Sequence, residues 1–194
     1  MDISAEYVHQ LNNDNTYTGN TIDAIKIDHG YVTGTVTWRN LPVPYHVVSL
    51  VYCGADDLIG VLIIEPGTTL MMDYNAQFAI GSQARGGFIA DGTSEQIKFI
   101  SLQDTPAHGD WGNIYFLWDA DDDSCIIKNC KLEYGGRQVD GIIRIRDALP
   151  TIVDDSIGYS GAYGIFLQRE TPNPQELEDN NTFYNNTSGN VYGP

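Results

Sequence analysis

Basic residues are scarce: ten Lys and Arg stand against 26 Asp and Glu in 194 residues, a formal net charge of −16. A field of that sign repels phosphate backbones and anionic lipid, which argues against DNA, RNA and bare membrane surfaces as partners. No run of 18 apolar residues occurs, so no membrane insertion by a spanning helix is expected. Cysteine is limited to Cys53, Cys125 and Cys130. The odd count, without C-x-x-C spacing, argues against a disulfide framework or a zinc knuckle and leaves three thiols acting as small apolar groups. The histidines, His9, His29, His46 and His108, are dispersed, and none neighbours a Ser or Cys in a readable nucleophile motif. No glycine loop precedes a helix, so nucleotide phosphate binding has no support. The chain opens MDISAEYVHQLNNDN, polar from its second residue. That start fits a cytosolic protein, or a secreted one whose leader has been removed.

Helical periodicity is missing too. No segment holds a 3.6-residue apolar period for three turns. What is present instead is a succession of short alternating segments: VLIIEPGTTLMM, QFAIG, EQIKFIS, GNIYFLW, SCIIKNCKLEYGG, DGIIRIRDA, PTIVDDSIGYSG and YGIFLQRE. Gly, Pro, Asn and Asp punctuate them, which is the chemistry of tight turns, and the class is all-β. These segments repeat. IIKNCKLEYGG aligns with TIVDDSIGYSG and then with EDNNTFYNN, stacking Leu132, Ile157 and Phe183, and then Tyr134, Tyr159 and Asn185. A second set, GNIYF, GIIRI and GIFLQ, stacks Ile114, Ile143 and Ile165, and then Phe116, Ile145 and Leu167. Spacings of about 22–30 residues with several short strands each predict a solenoid of stacked coils. Parallel strands of successive coils pair about 4.8 Å apart, so equivalent inward residues form continuous ladders.

The ordered string VLIIEPGTTLMM (61–72), FIADGTSEQIKFIS (88–101), HGDWGNIYF (108–116), CKLEYGG (130–136) and YGIFL (163–167) resembles the secreted right-handed parallel β-helix proteins of bacterial surfaces, which share the pectin-lyase-like architecture. TWRNLPVPYHVVSLVYCG, just before it, is similar to that family's opening strand. The resemblance implies a single-stranded right-handed parallel β-helix over residues 31–194; the closing GNVYGP leaves the last coil unfinished, so truncation from a longer chain is expected, and residues 1–30, which match nothing in the family, are expected to be a cap on the open end or a linker to another domain. It also implies a secreted or cell-surface location with the leader removed. It implies no single activity, because members of this architecture include lyases, hydrolases, epimerases, adhesins and modules without known chemistry. Open coil ends are sheet edges, so end-to-end self-association is a further expectation.

Two stretches carry candidate chemistry. In HGDWGNIYFLWDADDDS, inward Ile114 and Phe116 make Asn113, Tyr115 and Leu117 outward; Trp111 reads as structural. The same parity on later coils puts Tyr115, Arg144 and Phe166 in one outward column and Leu117, Arg146 and Gln168 in the next. Trp118, Asp147 and Arg169 then fall at the strand ends. Arg137, Arg144, Arg146 and Arg169 are four of the ten basic residues. Guanidinium forks bind carboxylates and aromatic faces suit pyranose rings, so Tyr115, Trp118, Arg144, Arg146, Phe166 and Arg169 form a candidate face for polysaccharide or another cell-surface partner. The competing reading pairs these arginines with local acids such as Asp147 and Glu170 to keep exposed strands soluble.

Asp119, Asp121 and Asp123 have the one–three–five spacing with which calcium loops present oxygen. Ser124 replaces the turn glycine, and Cys130 stands at the twelfth position where Glu is required. A solvated acidic turn is expected; no cofactor is required, and Ca²⁺ is the cation this spacing would suit. Asp154 and Asp155 do not make a glycosidase pair, since strand neighbours point to opposite faces, and Asp155 falls at the site of Cys130 one coil earlier. The hydrolase branch's Asn-Thr-Asp and Gly-His-Gly motifs are missing. The function expected is a non-catalytic extracellular β-helix module; a calcium-dependent polysaccharide lyase or hydrolase and a purely structural spacer are the alternatives.

Overall fold

The computed structural model describes residues 2–137, 140–169 and 171–193. It opens with β1 (Asp2–Ile3) and a 3-10 turn over Ala5–Gln10. The first coil is β2 (Ile25–Ile27), β3 (Gly30–Val32) and β4 (Gly34–Trp38). The second is β5 (Tyr45–Val47), β6 (Leu50–Cys53) and β7 (Gly60–Ile64). The third is β8 (Thr69–Met72), β9 (Gln77–Ile80) and β10 (Gly86–Asp91). The fourth is β11 (Ile97–Ser101), β12 (Ile114–Phe116) and β13 (Ala120–Lys128). The fifth is β14 (Cys130–Glu133), β15 (Gly141–Arg146) and β16 (Thr151–Val153). The sixth is β17 (Ser156–Gly158), β18 (Tyr163–Gln168) and the helix α1 (Pro174–Asp179); β19 (Thr182–Tyr184) and β20 (Gly189–Tyr192) follow.

The first five coils each give one strand to each of three parallel sheets, and the whole chain makes a β-solenoid of about seven turns. The first sheet runs β1-β2-β5-β8-β11-β14-β17-β19, the second β3-β6-β9-β12-β15-β18-β20, and the third β4-β7-β10-β13-β16. The ladders read from the repeats are present: Leu132 pairs with Ile157 and Ile157 with Phe183, while Ile114, Ile143 and Ile165 share a column, as do Phe116, Ile145 and Leu167. Coil length varies more than the repeats suggest, from 20 positions between Lys26 and His46 to 36 between Ala79 and Tyr115.

Inward side chains fuse into one core. Its middle is aromatic: Phe78, Phe88, Phe99 and Phe116 are fully buried, with centroid separations of 5.2–6.4 Å. At the N-terminal end Ala5 and Val8 of the 3-10 turn are buried, and Trp38 Nε1 donates to Ala5 O at 3.2 Å. The corner between the second and third sheets is a column of Gly34, Gly60 and Gly86. A Cβ on Gly60 would lie 1.9 Å from Val32 O, and one on Gly86 2.1 Å from Cys53 O, so at these two coils the corner accepts no side chain. The corner between the first and second sheets is turned by Tyr134 (φ 67°), Tyr159 (φ 55°) and Asn185 (φ 54°), which is the second column read from the sequence. Left-handed tyrosines are strained by about 1–3 kcal/mol each. Face-to-face stacking of Tyr134 on Tyr159, at 4.8 Å and 8°, offsets part of that. The helix α1 replaces a third-sheet strand; Asn173 caps it by accepting from Gln175 N, Pro174 sits in its first turn, and Leu177 is buried in the core.

Candidate functional site

Strands β12, β15 and β18 place Tyr115, Arg144 and Phe166 side by side on the outer face of the second sheet, as their alternation requires. The Arg144 guanidinium lies 4.3 Å from the Tyr115 ring centroid. Its nitrogens donate to Asp140 Oδ2 at 2.7 Å and to Gln168 Oε1 at 3.0 and 3.3 Å. Phe166 stacks on Tyr192 at 4.7 Å and 8°, with Tyr163 beside both. At the neighbouring strand ends, Arg146 covers the exposed Trp118 ring at 5.1 Å. Arg146 and Arg169 share Asp147, at 3.9 and 3.3 Å. The acid partner Asp147 is therefore in place, while Glu170 lies outside the described residues. Tyr115 thus meets Arg144, Trp118 meets Arg146 and Phe166 meets Tyr192, so each of these rings already has a neighbour on one face.

Leu117 departs from the expectation. It is 6% exposed, because the strand ends at Phe116 and Leu117 begins a turn closed by Ala120 N donating to Leu117 O at 2.8 Å. Alternation therefore does not reach it. Asn113 is buried as well, its Oδ1 accepting from Gln77 Nε2 at 2.9 Å. Trp111 is structural: it is fully buried, and its Nε1 donates to Glu133 O at 2.7 Å.

Beside this column the surface sinks into a cleft of about 220 Å³ lined by Tyr74, Asn75, Gln77, Gly112, Asn113, Arg137, Asp140 and Arg144. Arg137 lies 3.5 Å over the Tyr74 ring and donates to Tyr74 O at 2.9 Å and to Asn75 Oδ1 at 3.3 Å. Among the described residues no carboxylate forms an ion pair with Arg137, whereas Arg144 holds Asp140. The cleft thus combines one neutralised and one unneutralised guanidinium, an amide pair and a tyrosine. Sequence reasoning identified the two arginines but missed Tyr74, Asn75, Gln77, Asn113 and Asp140 as their neighbours. The signal was present in QFAIG, which aligns with NIYF and puts Gln77 one coil below Asn113. The long fourth coil hid it. Larger hollows, of about 430 and 520 Å³, lie near the N-terminal end; the second is flanked by Lys26 and Asp2, which are already paired at 3.4 Å.

The acidic stretch is not a turn. The turn is at Trp118–Asp119, and Asp121, Asp122 and Asp123 belong to β13, where Gly86 pairs with Ala120 and Phe88 with Cys125. The extra residues make a bulge, which lets an acidic run sit in a strand without turning inward. Asp121 accepts from Arg85 at 2.7 Å and from Ser124 at 3.0 Å, and these bonds hold its carboxyl below the usual range. Asp122 accepts from Leu149 N at 2.7 Å. Asp119, Asp121 and Asp123 do not converge: among the described residues no three His, Cys, Asp or Glu side chains are grouped to hold a metal ion.

The cysteines are free and buried. Burial pushes the Cys125 thiol up to about 12 and raises Cys53 and Cys130 as well, so they remain protonated apolar groups. His108 Nδ1 lies 3.2 Å from Ser160 O and 3.1 Å from Thr187 Oγ1, and its ring meets Tyr159 edge-on. No helix of the described residues is long and apolar enough to cross a membrane. No family model, curated protein or solved structure matches the chain.

Proposed function

We propose that the protein is a non-catalytic β-solenoid module, secreted or displayed on a cell surface, that presents the outer face of its second sheet to polysaccharide or another surface component. The observation that carries this reading is the cleft between Arg137 and Arg144, where donors, a tyrosine and an amide pair converge on one side of a strongly acidic molecule. Guanidinium and amide groups of that kind recognise carboxylates and hydroxyls. Tyr115, Trp118, Arg146, Phe166 and Arg169 flank it along the same sheet. Glycoside hydrolysis needs two carboxyl groups across the bond, and the cleft lining holds one, Asp140, already tied to Arg144. The location rests on the resemblance to secreted pectin-lyase-like proteins.

A specific observation favours the spacer as a second reading: the outward rings and guanidinium groups stack along the solenoid axis and stabilise one coil on the next. One experiment separates the two. Immobilised acidic and neutral polysaccharides are offered to the protein, and to Arg144→Ala, with Ca²⁺ or with chelator, and both retention and new product ends are measured. Retention without product, lost in Arg144→Ala at unchanged melting temperature, supports the binding module. No retention on any polymer leaves the spacer. Calcium-dependent product ends would replace both with the lyase or hydrolase.

A further inference from the structure

Three Asx side chains on the C-terminal coils are placed alike. Asn181 Oδ1 accepts from Asp155 N at 3.0 Å, Asn186 Oδ1 accepts from Ser160 N at 3.0 Å, and Asp155 Oδ1 accepts from Cys130 N at 2.7 Å. Each thus bonds the backbone N–H of the equivalent residue one coil below. The amide nitrogens complete the pattern: Asn181 Nδ2 donates to Ile152 O at 3.1 Å and Asn186 Nδ2 to Ile157 O at 3.2 Å, each carbonyl lying three residues before the N–H just named. Asn181 Nδ2 also donates to Leu177 O of α1 at 2.8 Å. Asp155 has an oxygen where the asparagines have an NH₂. By the same offset that oxygen belongs opposite the carbonyl of Ile127, which pairs with Ile152 across β13 and β16. Asp155 is 1% exposed and its Oδ2 makes no hydrogen bond within the protein.

An ionised carboxylate there would set acceptor against acceptor in a buried place, with no cation to balance it. The titratable groups that face it are the Cys130 thiol on β14 and the Asp154 carboxylate beside it on its own turn. From the turn between α1 and β19 it meets the neutral Asn181, and no Lys, Arg or His among the described residues forms an ion pair with it. We propose that Asp155 is a neutral carboxylic acid in the folded protein, its Oδ2–H donating to a backbone carbonyl as an asparagine would, so that the junction of the fifth and sixth coils carries a latch released by alkali. Burial, with a smaller push from Asp154 and against the backbone N–H groups of Cys130 and Val153, moves its pKa up to about 8, consistent with the geometry.

The sign of the linkage follows. The unfolded chain ionises Asp155 near 3.8 and the folded chain near 8, so the folded state holds the extra proton between these values. The contribution to stability is full below about pH 4 and is lost as pH rises towards about 8, by tenfold in the folding constant per pH unit. Asp155→Asn keeps the bonds and removes the titration. Urea denaturation of both proteins from pH 4 to 9.5 tests this: the variant's advantage should open tenfold per pH unit and level off above about pH 8. Parallel profiles would overturn the proposal. Should the variant not fold, the Asp155 carboxyl carbon followed by NMR in the unaltered protein decides. A midpoint near 8 supports the proposal, and one near 3.8 overturns it.

Discussion

The two faces of the second sheet are built from the same strands and follow different rules. Inside, Ile114, Ile143 and Ile165, and then Phe116, Ile145 and Leu167, stack apolar on apolar and are at most 1% exposed. Outside, a ring, a guanidinium and another ring follow one another at half-buried positions, each satisfied by a different partner. The inner ladder excludes water and tolerates no loss of volume, while the outer one is a chain of replaceable contacts. The binding face proposed above therefore uses the ladder whose side chains can be exchanged without unfolding the solenoid.

The comparison breaks first, if it breaks, in the aromatic core that the inner ladder packs against, where Phe88 of the third sheet sits. Phe88 is fully buried and touches Phe78, Phe99 and Phe116 within 5.2–6.4 Å. Phe88→Ala is expected to remove about 3–5 kcal/mol of stability, read from urea denaturation. A loss below about 1 kcal/mol would mean that the coils collapse around the gap and that the inner face is as forgiving as the outer one.

A smaller effect is expected where the two faces meet. Trp111 lies against Gly135, where a Cβ would come within 2.6 Å of the indole, and donates to Glu133 O. Trp111→Phe keeps most of the apolar volume and leaves that carbonyl without its donor, a loss of about 1–3 kcal/mol in the same assay. A neutral result would show that the indole N–H contributes nothing beyond packing.

The inner face was legible from the sequence because it obeys a rule of period two repeated on every coil. Ladders such as Leu132–Ile157–Phe183 need only alignment of one coil on the next. The cleft was half legible. Arg137 and Arg144 stand out in an acidic chain, but Tyr74 and Asn75 reach Arg137 from a turn more than 60 positions earlier, which no local pattern encodes. The acidic run misled for a related reason: Asp121–Asp123 reads as a loop by composition, and only its pairing with the preceding coil makes it a bulged strand. Asp155 was placed correctly at the site of Cys130, but the orphaned oxygen that gives it interest is a three-dimensional fact.

The smallest effect belongs to the outermost pair. Arg85 donates to Asp121 Oδ1 at 2.7 Å from a largely exposed side chain. Solvent screens such a pair, so Arg85→Ala is expected to lower the melting temperature only slightly at physiological salt. The carboxyl should still report the loss. The Arg85 hydrogen bond is the largest influence lowering the Asp121 pKa, so the substitution moves it up, with Ser124 retaining part of the depression. A depressed carboxylate stabilises the fold above its unfolded pKa and loses that contribution as pH falls through its folded one. The unaltered protein and the variant should therefore differ slightly at neutral pH and converge in acid, measured as the Asp121 carboxyl midpoint by NMR beside melting curves taken down the same pH series. An unmoved midpoint would assign the depression to Ser124 and the bulge itself. A large fall in melting temperature at neutral pH would show that this outer contact holds the β10–β13 pairing together, and would end the distinction between a ladder that carries stability and one free to bind.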